Sequence, residues 1–231
     1  MHLKPGLGVR HEGIVGCTPG EDKIVIEYFK LGYGRADPIR MLLHYHDQPY
    51  SFIGYTMPEW KEMKEKGYGG EFRKVPRVFV NGGEYQQSMA TLRMLGLKYG
   101  YYPKGDWKKC MIVDSVLDAY TDCLNSITPL TLKPGDPEER EEEAEAIIEK
   151  IHEPLMKFCE QCLKDDRKFL TGGTVTVAEA CMVAILVNMW ENPESPWKEK
   201  FLMFLPQYTK TCAYLKRLRE EFWERLTDPD R

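Results

Sequence analysis

Nothing in this chain is long and apolar enough to cross a bilayer. The longest nearly apolar stretch, residues 180–190, is interrupted by Asn188 and falls well short of the roughly 20 residues that a spanning helix needs. No block of five or more Lys/Arg occurs, and 32 basic against 36 acidic residues leave a net charge of -4. Nucleic-acid binding through bulk charge is therefore not expected, and neither is a membrane partner. Residues 1–22 are rich in Gly and charge and lack the apolar stretch of about 7–15 residues found in a secretory signal, so the expected address is cytoplasmic. The seven cysteines are an odd number at irregular spacing, which points to reduced thiols rather than a disulfide framework. There is no internal repeat, and the acidic run at 138–146 is the one biased stretch.

What is present is an ordinary folded composition, 42% hydrophobic, 12% aromatic and 29% charged over 231 residues. That suits one large or two small domains, at roughly 100–200 residues each, and excludes disordered and fibrous classes. Residues 23–29 form a β-branched and aromatic run bounded by polar residues, which predicts a buried strand, and Gly32 and Gly34 break it. Ala36, Ile39, 41–43 and Tyr45 then recur at helical spacing up to Pro49. A short strand at 50–54 completes a β-α-β unit, which favours a parallel pair. A charged helix follows Pro58, and runs at 77–80 and 84–86 flank Asn81-Gly82-Gly83, the strongest short hairpin signal. Ser88 opens a further helix whose Met89, Leu92, Leu95 and Tyr99 share a face. The order is βαβ-α-ββα. After a linker near Pro103 the rest reads as helices at about 106–132, 137–165, 177–190 and 206–226, with a capping box at Thr176 and Glu179 opening the third.

Taken one at a time, the polar positions have plain readings. Tyr28, ending a strand at a Gly-rich break, is by itself a half-buried strand aromatic. Val75-Pro76 is a strand entrance, and Gln87 and Ser88 cap a helix, with Ser88 the natural capping residue. Asp114, Asp118 and Asp122 recur every fourth residue, a stripe of mutually repelling charges that suits a solvated face. Cys159 and Cys162 match C-x-x-C but fall inside a helix of the second half, away from the first strand where a redox pair belongs. His44 and His46 are two apart on a helix and face different ways, and the Gly32/Gly34 turn lacks the third glycine of a dinucleotide loop. Neither a metal nor a nucleotide is expected.

Together these motifs fall in the order of a known family. Tyr28-Phe29 followed by Gly34-Arg-Ala-Asp-Pro-Ile-Arg40, then Trp60 with Lys64, Phe72 ahead of Pro76, Val75-Pro76, Gln87-Ser88 and the Thr176/Glu179 box, resemble the cytosolic glutathione transferases over about residues 23–226. The pattern is similar to the sigma-like branch that uses tyrosine, related to the alpha, mu and pi classes. The resemblance implies a thioredoxin-like glutathione-binding domain at 23–102 and a helical domain at 106–231 that holds a small hydrophobic electrophile, with residues 1–22 a leader that has no counterpart. It implies that Tyr28 stabilises the glutathione thiolate and that Trp60, Lys64, Lys74, Val75, Pro76, Gln87 and Ser88 bind the tripeptide. It implies a homodimer in which Phe72 inserts into the partner and Asp122 reaches the partner's ligand. Lys30-Leu-Gly-Tyr33 is one residue longer than the family's spacing, so Tyr33 and Arg35 are expected to shape the electrophile pocket.

The activity so implied is glutathione transfer, with glutathione as substrate. The same thiolate also serves if glutathione returns unchanged, as in isomerisation of a prostaglandin-type endoperoxide, or is oxidised in reduction of a hydroperoxide. A reading from a different class is a non-catalytic scaffold of the same fold, comparable to the lens crystallins.

Overall fold

The structure, a computed structural model, describes residues 22–30, 34–192 and 195–227. Leader residues 1–21 lie outside the described residues, as does Tyr33. The first half runs β1 (Ile24–Phe29), α1 (Asp37–Tyr45), β2 (Tyr50–Tyr55), α2 (Met57–Glu65), β3 (Arg77–Val80), β4 (Gly83–Gln86) and α3 (Ser88–Tyr99), the βαβ-α-ββα order of a thioredoxin-like unit. Its four-stranded sheet has the order β2-β1-β3-β4, with β1 and β2 parallel and the other pairs antiparallel. Asn81 and Gly82 both have positive φ, 52° and 87°, as the tight β3–β4 turn demands. Alternation along β1 puts Ile24, Ile26 and Tyr28 on one face and Glu27 and Phe29 on the other. On the second face Trp60 of α2 meets Phe29 edge-on at 6.3 Å.

The second half consists of α4 (Trp107–Leu132), a 3-10 turn (Pro137–Arg140), α5 (Glu141–Ile147), a π turn (Ile148–His152), α6 (Glu153–Cys162), α7 (Val177–Ile185) with a π turn (Leu186–Trp190), α8 (Lys198–Phe204) and α9 (Thr209–Thr227). The single helix expected at 137–165 is therefore broken. Pro154 has no N–H to donate to the preceding turn, and the chain passes through a π turn just ahead of it. The short α8 buries only Phe201, too little to leave a periodic pattern. Every residue of α7 is buried, so 177–190 reads as a continuous apolar run because the helix is central. Thr176 Oγ1 accepts the Ala178 N–H while Glu179 accepts the Thr176 N–H, closing the predicted capping box.

The two halves meet on α1, which packs against α7 and α9. Ile39, Leu42 and Leu43 are fully buried there, each contributing roughly 1.5–3 kcal/mol, and Tyr45 stacks on Phe222 at 4.7 Å. The consequence is positional: residues 34–36, which lead into α1, are fixed at the seam between the halves.

Candidate functional site

Tyr28 lies near the end of β1 with 7% of its surface exposed. The Arg35 N–H donates to its hydroxyl oxygen at 2.9 Å. Gly34 makes this approach possible, since a Cβ there would sit 2.4 Å from Tyr28 Oη and its φ of 147° suits only glycine. Burial holds the Tyr28 phenol above its usual range, outweighing the Arg35 N–H, so the hydroxyl stays protonated at neutral pH. With one lone pair engaged from behind, its own proton is left to be donated outward.

Residues 34–37 are held from both halves. The Gly34 N–H donates to Asp37 Oδ2 at 2.6 Å, and Tyr120 Oη on α4 donates to the Gly34 carbonyl at 3.0 Å. Asn188 Nδ2 donates to Asp37 Oδ2 at 2.7 Å, and Arg40 pairs with Asp37 at 3.2 Å. Burial pushes the Asp37 carboxyl up to about 6 in spite of Arg40 and the Gly34 N–H. The half-buried Arg35 reaches across the seam to Asn125 of α4. Tyr120 and Asn188 carry no signal in the sequence, since their partners lie 86 and 151 residues away.

Beyond β1 the remaining candidates form an arc. Trp60 is buried among Phe29, Tyr55 and Tyr68, yet its indole N–H has no hydrogen-bond partner among the described residues and is not enclosed, so its edge reaches the surface. Lys64, one turn further on α2, is half-buried, and Lys74 is exposed; neither ammonium is paired among the described residues. The Val75–Pro76 bond is cis, and the Val75 N–H and carbonyl have no hydrogen-bond partner among the described residues.

Gln87 is the N-cap of α3, exposed and held at φ 68°, and no side chain caps this helix among the described residues. The expected capping by Ser88 is corrected here: Ser88 is the first helical residue and buried, past the position from which a side chain caps. The first N–H groups of α3 have no side-chain acceptor among the described residues, and the positive end of the helix dipole lies behind them.

The acidic stripe also needs correction. Arg93 of α3 donates to Asp114 at 2.6 Å and to Asp118 at 3.3 Å, relieving their repulsion and tying α3 to α4. Asp122, next on that face, is exposed and has no hydrogen bond or ion pair among the described residues. Phe72, on the loop before β3, is 51% exposed. A void of about 10 Å³ lined by Ile127, Thr128, Asn188 and Phe201, among others, has room for about one water, and no candidate residue lines it.

No family model matches the chain. A curated glutathione S-transferase of Anopheles gambiae is 31% identical over 101 residues, 44% of this chain and 48% of its own length. Glutathione S-transferase S1 of Drosophila melanogaster is 27% identical over 150 residues, 65% of this chain and 58% of its own. These alignments span about half the length of the two relatives. The solved structure of NaGST-2 superposes on 90% of this chain and 98% of its own with a TM-score of 0.69 at 25% identity. None of these neighbours singles out a branch. A fold shared with a solved glutathione S-transferase over nearly the whole chain, joined to curated relatives of the same name, makes this chain similar to the cytosolic glutathione S-transferases.

Proposed function

We propose that this chain is a glutathione S-transferase, in which residues 23–102 bind glutathione and 106–231 hold a small hydrophobic electrophile beside Arg35 and Tyr33. The observation that carries the reading is the Tyr28 hydroxyl, kept protonated by burial and engaged from behind by the Arg35 N–H. A thiol of pKa about 8.5 is mostly protonated at pH 7, and lowering it by two units takes roughly 2.7 kcal/mol. One charge-assisted hydrogen bond, worth about 1.5–3 kcal/mol, is of that size. Tyr28 donates to the sulfur, the thiol proton leaves to solvent, and the thiolate forms a C–S bond to the electrophile while a leaving group departs with its electron pair, or a π bond or strained ring opens and the resulting anion takes a proton from solvent. The uncapped α3 N–H groups at Ser88 and beyond, with Gln87, suit the γ-glutamyl carboxylate, Val75 the tripeptide backbone beside Pro76, and Trp60, Lys64 and Lys74 the glycyl carboxylate.

The protein so read is a cytoplasmic homodimer, with Phe72 inserted into the partner and Asp122 serving the partner's ligand. The test is retention on immobilised glutathione, followed by ultraviolet titration of the bound thiol and a panel of electrophiles with glutathione consumption measured. Consumption with product formation supports transfer. Turnover with glutathione returned unchanged identifies an isomerase. Failure to bind glutathione overturns the reading in favour of a scaffold.

A further inference from the structure

The segment between α2 and β3 carries Phe72, Lys74 and Val75, and it has no helix or strand of its own to fix it. It is held by Gln86, the last residue of β4. Gln86 Nε2 donates to the Gly69 carbonyl at 3.0 Å, and the Phe72 N–H donates to Gln86 Oε1 at 2.9 Å. One side-chain amide thus satisfies both a donor and an acceptor of the loop, as a neighbouring strand would. The contact is close: a Cβ at Gly70 would lie 1.7 Å from Gln86 Nε2 and 2.3 Å from Glu84 Oε1.

The amide's orientation is set from behind. Gln86 Nε2 also donates to Glu84 Oε1 at 2.5 Å, and a carboxylate oxygen only accepts, so the NH₂ faces Glu84 and the carbonyl faces Phe72. Glu84 is gripped by Arg77 through Nε at 2.8 Å and Nη2 at 2.9 Å. Arg77 in turn donates to Glu27 at 2.9 Å, and both of these are buried, at 6% and 4% exposure. Tyr68 Oη donates to Glu27 at 2.6 Å and its ring lies 4.3 Å below the Arg77 guanidinium. Buried charges persist only when paired this fully. The chain Glu27–Arg77–Glu84–Gln86 therefore crosses the sheet from β1 through β3 to β4 and ends on the loop, next in sequence to Gln87.

We propose that Gln86 is a positioning residue that couples subunit contact through Phe72 to glutathione binding through Lys74 and Val75, its amide oriented by the Glu27–Arg77–Glu84 chain. The inference rests on the glutathione-binding reading above. Gln86 touches no reacting atom; it sets where the loop lies, so its removal weakens binding of the tripeptide without altering the Tyr28 hydroxyl.

Arg77→Met strands two carboxylates and is expected to unfold the chain, so the test uses Gln86→Met, which keeps the length and removes both hydrogen bonds at a partly exposed site. The Phe72 amide should exchange with solvent about tenfold faster, KM for glutathione should rise about five- to tenfold with kcat at saturating glutathione within twofold, and the dimer should dissociate more readily. Unchanged exchange at Phe72 overturns the latch. Faster exchange with unchanged KM and unchanged dimerisation overturns the coupling. If the unsubstituted chain does not bind glutathione, the functional reading itself fails; that outcome involves no variant, and Phe72 exchange and sedimentation of Gln86→Met still decide whether the loop is latched.

Discussion

The Arg35 backbone N–H donates to the Tyr28 hydroxyl oxygen at 2.9 Å, with Gly34 between them too close for any side chain. The pair separates two tasks. Burial keeps the phenol neutral, and the loop amide fixes which way its proton points. Tyr28→Phe removes the donor while the ring still packs. Turnover should fall about 10- to 150-fold, the kinetic equivalent of about 1.5–3 kcal/mol, with glutathione affinity nearly intact. Ultraviolet titration should show the bound thiol pKa rising; an unchanged pKa would assign the thiolate to another group.

Gly34→Ala tests the loop rather than the hydroxyl. The added methyl would stand 2.4 Å from Tyr28 Oη at a φ of 147°, so loop and phenol must part. The variant should lose activity at least as far as Tyr28→Phe, and combining the two should add little, because both remove the same interaction. Fully additive losses would mean that the loop contributes something besides the Tyr28 contact.

Asp37 supplies a pH signature. Burial raises it to about 6 from an ordinary 3.8, so between those values the folded chain holds a proton that the unfolded chain has released. Its contribution to stability is thus fully present below about pH 4 and is lost as pH rises to about 6, by an amount on the order of 3 kcal/mol. His44 and His152, lowered by burial to about 4 and about 3, oppose this: their contribution is present above about pH 6.5 and is lost as pH falls. Asp37→Asn removes only the first effect. The stability difference between native chain and variant, followed by urea unfolding, should slope between pH 4 and 6 and be flat above about 7. A flat difference throughout would show that Arg40, Asn188 and the Gly34 N–H cancel the burial.

The arrangement of strands was legible because each carries a local signal. Asn81-Gly82 demands a two-residue turn, the proline after α1 ends that helix, and the β-branched run at 23–29 has the length of a buried strand. The places where candidate residues sit were legible for the same reason: Tyr28 ends a strand and Gln87 begins a helix. What holds those residues was not. Tyr120 and Asn188 act on Gly34 and Asp37 from other helices, and no spacing encodes a contact made by the packing of two halves. The pairing of Arg93 with Asp114 and Asp118 is of the same kind, since a helix reads as a solvated stripe until its neighbour supplies a cation. Gln86 was hidden by its neighbours, because its partners Gly69 and Phe72 lie in a segment without periodicity.

Phe72 is 51% exposed on a loop latched at its own backbone, so its side chain is free to enter another subunit. Phe72→Ala should shift sedimentation at micromolar concentration from dimer toward monomer while leaving the far-ultraviolet spectrum and thermal cooperativity of the chain largely intact. A native chain that sediments as a monomer would end the proposal.

On the proposed reading, Asp122 links assembly to chemistry. Tyr28, Val75 and Gln87 belong to one half of a chain, whereas Asp122 lies on α4 of the other half, exposed and without a hydrogen bond or ion pair among the described residues. The amino group of a γ-glutamyl arm calls for an anion, and a carboxylate supplied by the neighbouring subunit makes each site depend on both chains. Losing one buried ammonium–carboxylate pair costs about 2–5 kcal/mol of binding, so Asp122→Asn should raise KM for glutathione far more than it changes kcat. Mixed dimers decide which chain Asp122 serves. When a Tyr28→Phe subunit pairs with an Asp122→Asn subunit, a cross-chain role puts both lesions in one site and leaves the other intact. Such a heterodimer should retain about half the native activity at native KM. If Asp122 serves its own chain, each site carries one lesion, and no site combines full turnover with high affinity.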